Sequence, residues 1–155
     1  AHPLATVVTA PELSAIFANG MEYFNSFGGN PVSMAVGHAV LDVIEAEDLP
    51  AKAVTTGEGL MQGYRDLAKR FPIIGDVRGM GLFVGVELVT DRDARIPATQ
   101  AADHVVDQLR LRGVLASTDG PDDNVLKIKP PMVFGPTEVE FLLTETEAAL
   151  STLPN

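Results

Sequence analysis

Apolar residues recur at helical spacing in two adjacent segments of the chain. The first segment begins at Asn30-Pro31, where asparagine can cap a helix and proline is favoured at the first helical position. Asp48-Leu49-Pro50 interrupts it, and a second segment follows that ends before Phe71-Pro72. The spacing predicts a long, nearly continuous helical arm over residues 31–70. The apolar positions of the two segments are Val32, Val36, Ala39, Val40, Val43, Val54, Leu60, Met61, Tyr64, Leu67 and Ala68.

Beyond residue 71 the pattern changes to that of strands. Residues 73–89 alternate between apolar and polar positions, as a half-buried strand does. Short apolar runs at 114–117 and 125–128 predict two more strands on either side of an Asp-Gly-Pro-Asp-Asp turn. The apolar face of the first strand comprises Leu82, Val84, Val86 and Leu88.

Two amphipathic helices complete this part of the chain. The first has its apolar stripe over residues 102–109 and ends at Gly113. For the last helix, Thr137 and Glu140 have the spacing of a capping box. The resulting order of strand, helix, strand, strand and helix predicts a compact α/β layer over residues 71–155.

The first 30 residues carry weaker signals. Residues 4–9 are rich in β-branched side chains and predict a strand. Pro11 starts a short helix through Phe17, which Asn19-Gly20 ends. Residues 23–30 are aromatic and then rich in glycine, which predicts a loop.

Net charge narrows the classes of molecule that the chain is expected to bind. The 155 residues carry 21 acidic and 11 basic side chains, a formal net charge of −10. Because nucleic acids and anionic membranes attract clusters of Lys and Arg, neither is an expected partner. The absence of cysteine excludes disulfides and fits a cytoplasmic protein. The chain starts at Ala1 rather than at methionine, which is typical of a fragment or a processed form.

The residue spacing argues against two familiar kinds of site, a metal site and a dinucleotide-binding site. His2, His38 and His104 have no second ligand at a metal-site spacing, so no metal site is predicted. The glycines around Gly79 resemble a dinucleotide fingerprint, but the third comes one residue late and they precede a strand instead of following one. A tight turn into the strand is the better interpretation.

The segment over residues 24–31 offers two interpretations that the residues alone leave open. A hydroxyl, two glycines and a helix N-terminus follow one another in Phe-Asn-Ser-Phe-Gly-Gly-Asn-Pro. Glycines let backbone N–H groups approach an anion, and the helix start adds a positive dipole end, so the segment could hold a phosphate group. An ordinary glycine turn with an asparagine cap explains the same residues.

Basic residues of the predicted strands are also open to two interpretations. Arg78 could hold a carboxylate or could brace the α/β layer. Lys127 and Lys129 precede a rigid Pro130-Pro131 exit and, taken alone, suit a solvated sheet edge. Alternation places the lysines on the strand face opposite Leu126.

Four motifs in the same order resemble the class III aminotransferases, which depend on pyridoxal phosphate (PLP). The His-Pro-Leu-Ala of residues 2–5 resembles the family's motif after the catalytic-lysine strand, and residues 24–31 resemble its Thr-Phe-Gly-Gly-Asn-Pro loop. Residues 75–82 resemble the family's Val-Arg-Gly-x-Gly-Leu, and residues 126–131 its Leu-Arg-x-x-Pro-Pro. Within the class, residues 24–25, 117–121 and 127–132 resemble the branch of alanine–glyoxylate aminotransferase 2-like proteins and ethanolamine-phosphate phospho-lyases.

This resemblance implies the C-terminal portion of a fold-type I PLP-dependent transferase, an α/β protein that works as a homodimer. Residues 1–30 would be a remnant of the PLP-binding large domain, residues 31–70 the interdomain helical arm, and residues 71–155 the small domain. Ser26, at the family's threonine position, would hydrogen-bond the phosphate of PLP held mainly by the other subunit, with help from the backbone N–H of Phe27.

The resemblance also has two departures. The lysine that forms a Schiff base with PLP falls ahead of Ala1, so no catalytic residue is predicted in this chain and the chain alone is expected to be inactive. Lys127 replaces the arginine that forks onto a substrate carboxylate, and lysine cannot make that planar bidentate contact. Lys127 and Arg78 are therefore the predicted substrate-binding residues, with room for a phosphorylated amine.

Three functions remain open from the sequence. The first is a segment of an aminotransferase that moves an amino group between an amine or amino acid and a keto acid. The second is a segment of a PLP-dependent phospho-lyase that acts on a phosphorylated amine. The third, of another class, is a non-catalytic α/β assembly module.

Overall fold

A computed structural model describes residues 2–154 of the chain. Contacts between Cα atoms divide the chain into two compact units, Ala1–Glu47 and Asp48–Asn155. No helix within residues 2–154 combines the length and the apolar character that crossing a bilayer requires.

The first unit contains two helices, α1 (Pro11–Phe17) and α2 (Pro31–Ala46). Asn30 caps α2 as predicted, because its side-chain oxygen accepts a hydrogen bond of 2.9 Å from the backbone N–H of Ser33. Ser33 also contacts His2, whose Nε2 lies 2.8 Å from the serine Oγ. Among the described residues of this unit Ser33 alone is buried, so the unit has no apolar core of its own.

The predicted strand over residues 4–9 is wrong. The segment is not part of any strand, although its composition suits one. A strand is stable only when a neighbour accepts and donates its backbone hydrogen bonds, and no strand lies beside this segment within residues 2–154. Leu4 packs instead near Gly37 of α2, where an added Cβ would lie 2.8 Å from its Cδ2.

The second unit is built on an antiparallel sheet of order β1-β2-β5-β4. Its strands are β1 (Ile74–Met80), β2 (Phe83–Asp91), β4 (Ser117–Asp119) and β5 (Val125–Ile128), while the short β3 (Ile96–Pro97) pairs with β2. The predicted strand over residues 73–89 is therefore two strands, joined by a turn in which Gly81 has a φ of +52°. Glycine adopts such an angle without the steric cost that a Cβ brings, so the glycines do form the expected tight turn.

Three helices cover one face of this sheet. They are α3 (Leu49–Arg70), α4 (Thr99–Leu111) and α5 (Pro136–Leu150). Their apolar stripes meet the inward side chains of β2 and β5 in one core, so the predicted α/β layer is confirmed. The largest fully buried side chains of this core are Tyr64, Leu60, Ile74, Leu88, Leu109 and Leu126.

Three local predictions need correction. The break in the helical arm lies at Glu47 and Asp48, and Asp48 has a φ of +48°. The last helix begins at Pro136, not after Thr137, because the Glu138 carboxylate accepts the backbone N–H of Gly135 at 2.9 Å. The strand predicted at 114–117 lies at Ser117–Asp119, because pairing with β5 decides its position.

Backbone contact fixes α3 against the β1–β2 turn. A Cβ on Gly57 would lie 1.9 Å from the carbonyl oxygen of Gly81. Arg92 adds a second tie, since its guanidinium donates to the carbonyl oxygens of Ala68, Pro72 and Ile74 at 2.7–2.8 Å. These contacts hold the helix end and the first strand in one rigid layer.

Candidate functional site

The sheet face away from the helices carries the candidate site. Cross-strand register brings Arg78 of β1, Gly85 of β2, Lys127 of β5 and Ser117 of β4 into one row. Because Gly85 has no side chain, the row has a gap in its middle. The gap opens into a depression of about 370 Å³, here called the sheet depression. Its lining includes Arg78, Phe83, Gly85, Asp119, Val125 and Lys127.

Lys127 lines the sheet depression, and its ammonium group forms an ion pair there with a carboxylate. Its Nζ lies 2.8 Å from Oδ2 of Asp119, and the lysine side chain is 36% exposed against 58% for the aspartate. The other Asp119 oxygen accepts the backbone N–H of Gly120 at 2.8 Å. The Lys127 ammonium, followed by the Gly120 hydrogen bond, lowers the pKa of Asp119, so the carboxylate is ionised at neutral pH.

The solvated-edge interpretation of Lys127 is wrong. Its strand β5 lies between β2 and β4 in the sheet and is not an edge strand. Leu126 and Ile128 are buried on the helix side, as alternation predicts, so Lys127 belongs to the opposite face.

Arg78 borders the same depression and is paired twice. Its Nη1 lies 2.7 Å from Asp76 Oδ2 and 2.5 Å from Glu87 Oε2. Both hydrogen bonds raise the pKa of the guanidinium, and the bond to Asp76 has the larger effect. Arg78 thus joins β1 to β2 while its side chain forms one wall of the depression.

One rim of the depression is apolar and exposed. Met80 is 85% exposed and Phe83 59%, at the end of the β1–β2 hairpin. The Lys129 ammonium lies 6.0 Å from the centroid of the Phe83 ring, at the outer limit of a cation–π contact. The depression can therefore receive a small molecule with both polar and apolar parts.

The loop before α2 holds the residues predicted to bind a phosphate. The Ser26 hydroxyl is exposed and makes no hydrogen bond within residues 2–154. The backbone N–H of Phe27 already donates to Asn25 Oδ1 at 3.1 Å, and that of Gly28 donates to the same oxygen at 3.1 Å. Gly29 has a φ of +71°, which completes the turn into the capped helix. In this loop the Ser26 hydroxyl is therefore available to a ligand, whereas the backbone N–H of Phe27 already has a hydrogen-bond partner.

Two of the histidines, His2 and His104, make structural contacts. His104 Nε2 lies 2.8 Å from Thr152 Oγ1, which ties α4 to the turn after α5. Within the part of the chain that the structure describes, no three His, Asp or Glu side chains are grouped to hold a metal ion.

Asp119 is the residue of the site that sequence reasoning missed. The sequence pattern places Asp119 in the turn after the predicted strand 114–117, where its side chain has no expected partner. The signal is the diagonal relation between β4 and β5: Asp119 opposes Val125, two residues before Lys127. Opposite charges at such a diagonal position are close enough to pair once the register is known.

Comparison with known proteins gives the family. The sequence matches the family model "Aminotransferase class-III" over residues 2–150. An alanine–glyoxylate aminotransferase 2-like protein of Drosophila melanogaster is 52% identical over 145 residues, which are 92% of this chain and 29% of that protein. Ethanolamine-phosphate phospho-lyase homolog 1 of Caenorhabditis elegans is 38% identical over 150 residues, which are 96% of this chain and 32% of that protein.

Solved structures show the same relationship. A phospholyase from Arthrobacter in complex with phosphoethanolamine is 42% identical with a TM-score of 0.88, over 94% of this chain and 35% of that one. A PLP-bound amine transaminase from an uncultivated Pseudomonas species is 32% identical with a TM-score of 0.74, over 83% of this chain and 29% of that one. The chain thus spans about a third of the length of the proteins that it matches. The motif resemblance and the α/β fold are confirmed, and this chain belongs to the class III aminotransferase family.

Proposed function

We propose that this chain is the C-terminal segment of a PLP-dependent class III enzyme that transfers an amino group between an amine or amino acid and a keto acid. The observation that carries the proposal is the family match over residues 2–150, nearly the whole chain. In the same proposal, residues 1–30 belong to the large domain, 31–70 to an interdomain arm and 71–155 to the small domain. The chain alone is inactive because the lysine that reacts with PLP is supplied by a preceding segment.

The residues present fit PLP at one point, its phosphate. The exposed and unbonded Ser26 hydroxyl is able to donate a hydrogen bond to a phosphate oxygen. The backbone N–H of Phe27 already donates to Asn25, so it would assist only if it were shared between Asn25 and the phosphate. PLP, when bound, supplies an electron sink for reactions at the carbon that bears the amino group.

The chain's own residues then have distinct tasks. Ser26 orients the cofactor through its phosphate and has no part in moving protons. Lys127 and Arg78 present N–H donors at the sheet depression, where they orient the substrate. Met80 and Phe83 form an apolar rim that excludes water from its side of the substrate.

A phospho-lyase that acts on a phosphorylated amine is the second candidate. Two observations favour it: the TM-score of 0.88 with the Arthrobacter phospholyase and the lysine at position 127. That structure contains phosphoethanolamine, an amine without a carboxylate. The two candidates share the cofactor and the site and differ in the bond that is broken.

Partner and compartment are proposed on narrower grounds. We expect a homodimer, because five large apolar side chains of the first unit, among them Phe24 and Phe27, are at least 80% exposed and call for a covering surface. A cytoplasmic location stays a prediction, and relatives from Arabidopsis thaliana and Pongo abelii are named as mitochondrial proteins. With 21 acidic against 11 basic residues, no nucleic acid or membrane partner is proposed.

The test has two arms. The DNA upstream of the codon for Ala1 is expected to encode a lysine followed by Gly-Asn shortly before His2-Pro3, and the longer protein to transfer amino groups only with PLP. The 155-residue chain, mixed with PLP, reduced with borohydride and digested, should show no single lysine labelled above the others. An upstream sequence without that lysine would favour the non-catalytic assembly module, and stable labelling of one lysine in this chain would contradict its inactivity.

A further inference from the structure

A bend that follows helix α1 contains the pair Asn19-Gly20. Asn19, Gly20 and Met21 are all exposed and belong to no helix or strand. Gly20 has a φ of +85°, and a Cβ added to it would find no heavy atom within 4 Å beyond its chain neighbours. Water and dissolved base therefore reach the backbone of this bend.

Two N–H groups at the bend are free of hydrogen bonds. The side-chain oxygen of Asn19 accepts the backbone N–H of Met21 at 3.1 Å. By contrast, the backbone N–H of Gly20 and the side-chain amide N–H groups of Asn19 have no acceptor within residues 2–154. The Gly20 nitrogen can therefore lose its proton without first breaking a hydrogen bond.

The hydrogen bond from Met21 also favours attack on the Asn19 side chain. It closes a ring that contains the Gly20 nitrogen, so the side-chain carbonyl is held near that nitrogen. A donor on a carbonyl oxygen stabilises the negative charge that develops there when a nucleophile attacks the carbon. Glycine hinders such an attack least, because no Cβ flanks its nitrogen.

We infer that Asn19 is a modification site, at which the chain deamidates in water without an enzyme. The Gly20 nitrogen gives up its proton and bonds to Cγ of Asn19, the Cγ–Nδ2 bond breaks, and the side-chain nitrogen leaves as ammonia with that proton. Water then opens the cyclic imide. Cleavage of the imide bond to Cγ gives aspartate, and cleavage of the bond to the backbone carbonyl carbon gives isoaspartate. The inference goes beyond the proposed function, because the chain and water are the only reactants.

The other asparagines within residues 2–154 each lack some of these features. Asn25 is followed by serine, and its side-chain oxygen is held by two backbone N–H groups at 3.1 Å. Asn30 precedes Pro31, which has no N–H and cannot attack. Asn124 is 4% exposed, and its side chain donates to the carbonyl oxygen of Leu88 at 2.8 Å. The same chain thus supplies three internal controls.

The test incubates the 155-residue chain in mildly alkaline buffer and analyses its peptides by mass spectrometry. Chymotrypsin, which cleaves after aromatic residues such as Phe17, Tyr23 and Phe27, separates Asn19 from Asn25. We expect only the Asn19 peptide to gain the mass of a conversion from amide to acid. Isoelectric focusing of the intact chain should show one negative charge added to the formal −10. A more alkaline buffer should speed the reaction, because the attacking nitrogen must lose a proton.

Two variants and one denaturant test the structural argument. Gly20→Ala places a Cβ beside the attacking nitrogen and should slow the reaction by about 10-fold. Asn19→Gln leaves the backbone of the bend unchanged and should abolish the added charge, whether or not Gly20→Ala folds. Urea should accelerate deamidation of Asn25 far more than that of Asn19, because unfolding frees the Asn25 side chain from two hydrogen bonds.

The outcomes are distinct. Selective deamidation of Asn19 in the folded chain supports the inference. If the Asn19 peptide stays unmodified in buffer and changes only in urea, the fold protects the bend and the inference is overturned. Equal rates for Asn19 and Asn25 in the folded chain would overturn it as well. Since none of these results depends on PLP or amino transfer, the proposed function stands or fails separately.

Discussion

A buried hydroxyl pair offers a quantitative test of the core. Tyr64 of α3 and Thr146 of α5 are both 0% exposed, and their hydroxyl oxygens lie 3.2 Å apart. The Thr146 hydroxyl donates to the carbonyl oxygen of Leu142 at 2.7 Å. Because a hydroxyl has a single proton, Tyr64 must be the donor in the pair and Thr146 the acceptor.

This assignment predicts unequal costs for the two obvious substitutions. Tyr64→Phe removes the donor and leaves Thr146 bonded to Leu142, so it should lower the free energy of unfolding by about 1 kcal/mol. Thr146→Val removes the acceptor and leaves the tyrosine proton unpaired in the core, which should cost about 1–3 kcal/mol. The double variant has no unpaired group and should cost less than the sum of the two, with a coupling of about 1 kcal/mol.

Urea unfolding followed by circular dichroism measures all four proteins, and the slopes should agree if the transitions are comparable. The reasoning is refuted if Thr146→Val costs no more than Tyr64→Phe and the two costs simply add.

The same tyrosine predicts an alkaline loss of stability. Burial raises the pKa of Tyr64 from 10.0 to about 12. Between these values the unfolded chain releases the proton that the folded chain keeps, so stability falls as pH rises, by about 2–3 kcal/mol in all. The contribution is fully present below pH 10. Tyr64→Phe should abolish this loss, whereas Tyr23→Phe, at an exposed tyrosine, should keep it. Equal alkaline loss in the two variants would contradict the prediction.

Further tests concern close packing, an unpaired segment and the cofactor. Gly57→Ala should cost about 1–3 kcal/mol in thermal unfolding, because its Cβ would lie 1.9 Å from the Gly81 oxygen. Gly59→Ala, with open space around its Cβ, should be neutral or stabilise by up to about 1 kcal/mol, and similar melts for both would refute the close contact. Residues 4–9 should exchange amide hydrogens much faster than β2, and equal protection in a proven monomer would contradict this. In the longer enzyme of the proposed function, Ser26→Ala should weaken PLP binding in a titration about 10- to 150-fold, while Ser26→Thr keeps it. If Ser26→Ala bound PLP as tightly as the unmodified enzyme, Ser26 would not contact the cofactor.

The helices were predictable because their signals are local. Proline at the first helical position and asparagine or glycine at the ends act within a few residues of the chain. The starts of α1 and α2 at Pro11 and Pro31 were therefore predicted correctly. The inward face of β2 was also predictable, because alternation along the strand marks Val84 and Val86 as buried whichever strands pair with it.

Strand partners were not predictable, because pairing joins distant residues. The β1 sequence Ile-Gly-Asp-Val-Arg-Gly-Met has two glycines and two charges, a poor strand signal that pairing with β2 overrides. Residues 4–9 show the reverse, a good strand signal without a partner. The Lys127–Asp119 pair depends on the same missing information, because the register of β4 on β5 decides which side chains meet. The motif predicts Lys127 as a site residue, a prediction that remains to be tested, whereas no sequence pattern predicts its counter-ion.

The two faces of β5 carry residues under two different evolutionary constraints. Leu126 and Ile128 lie in the core and are constrained by packing, whereas the row through Arg78, Gly85 and Lys127 lies on the opposite face of the same backbone. Mutations of Arg78 and Lys127 should be tolerated by the fold far better than mutations of Leu126 and Ile128, the adjacent inward positions. The domain is therefore an evolvable scaffold: lineages, or a laboratory library randomised at the outward row, can explore new ligand preferences while the rate of misfolding stays low.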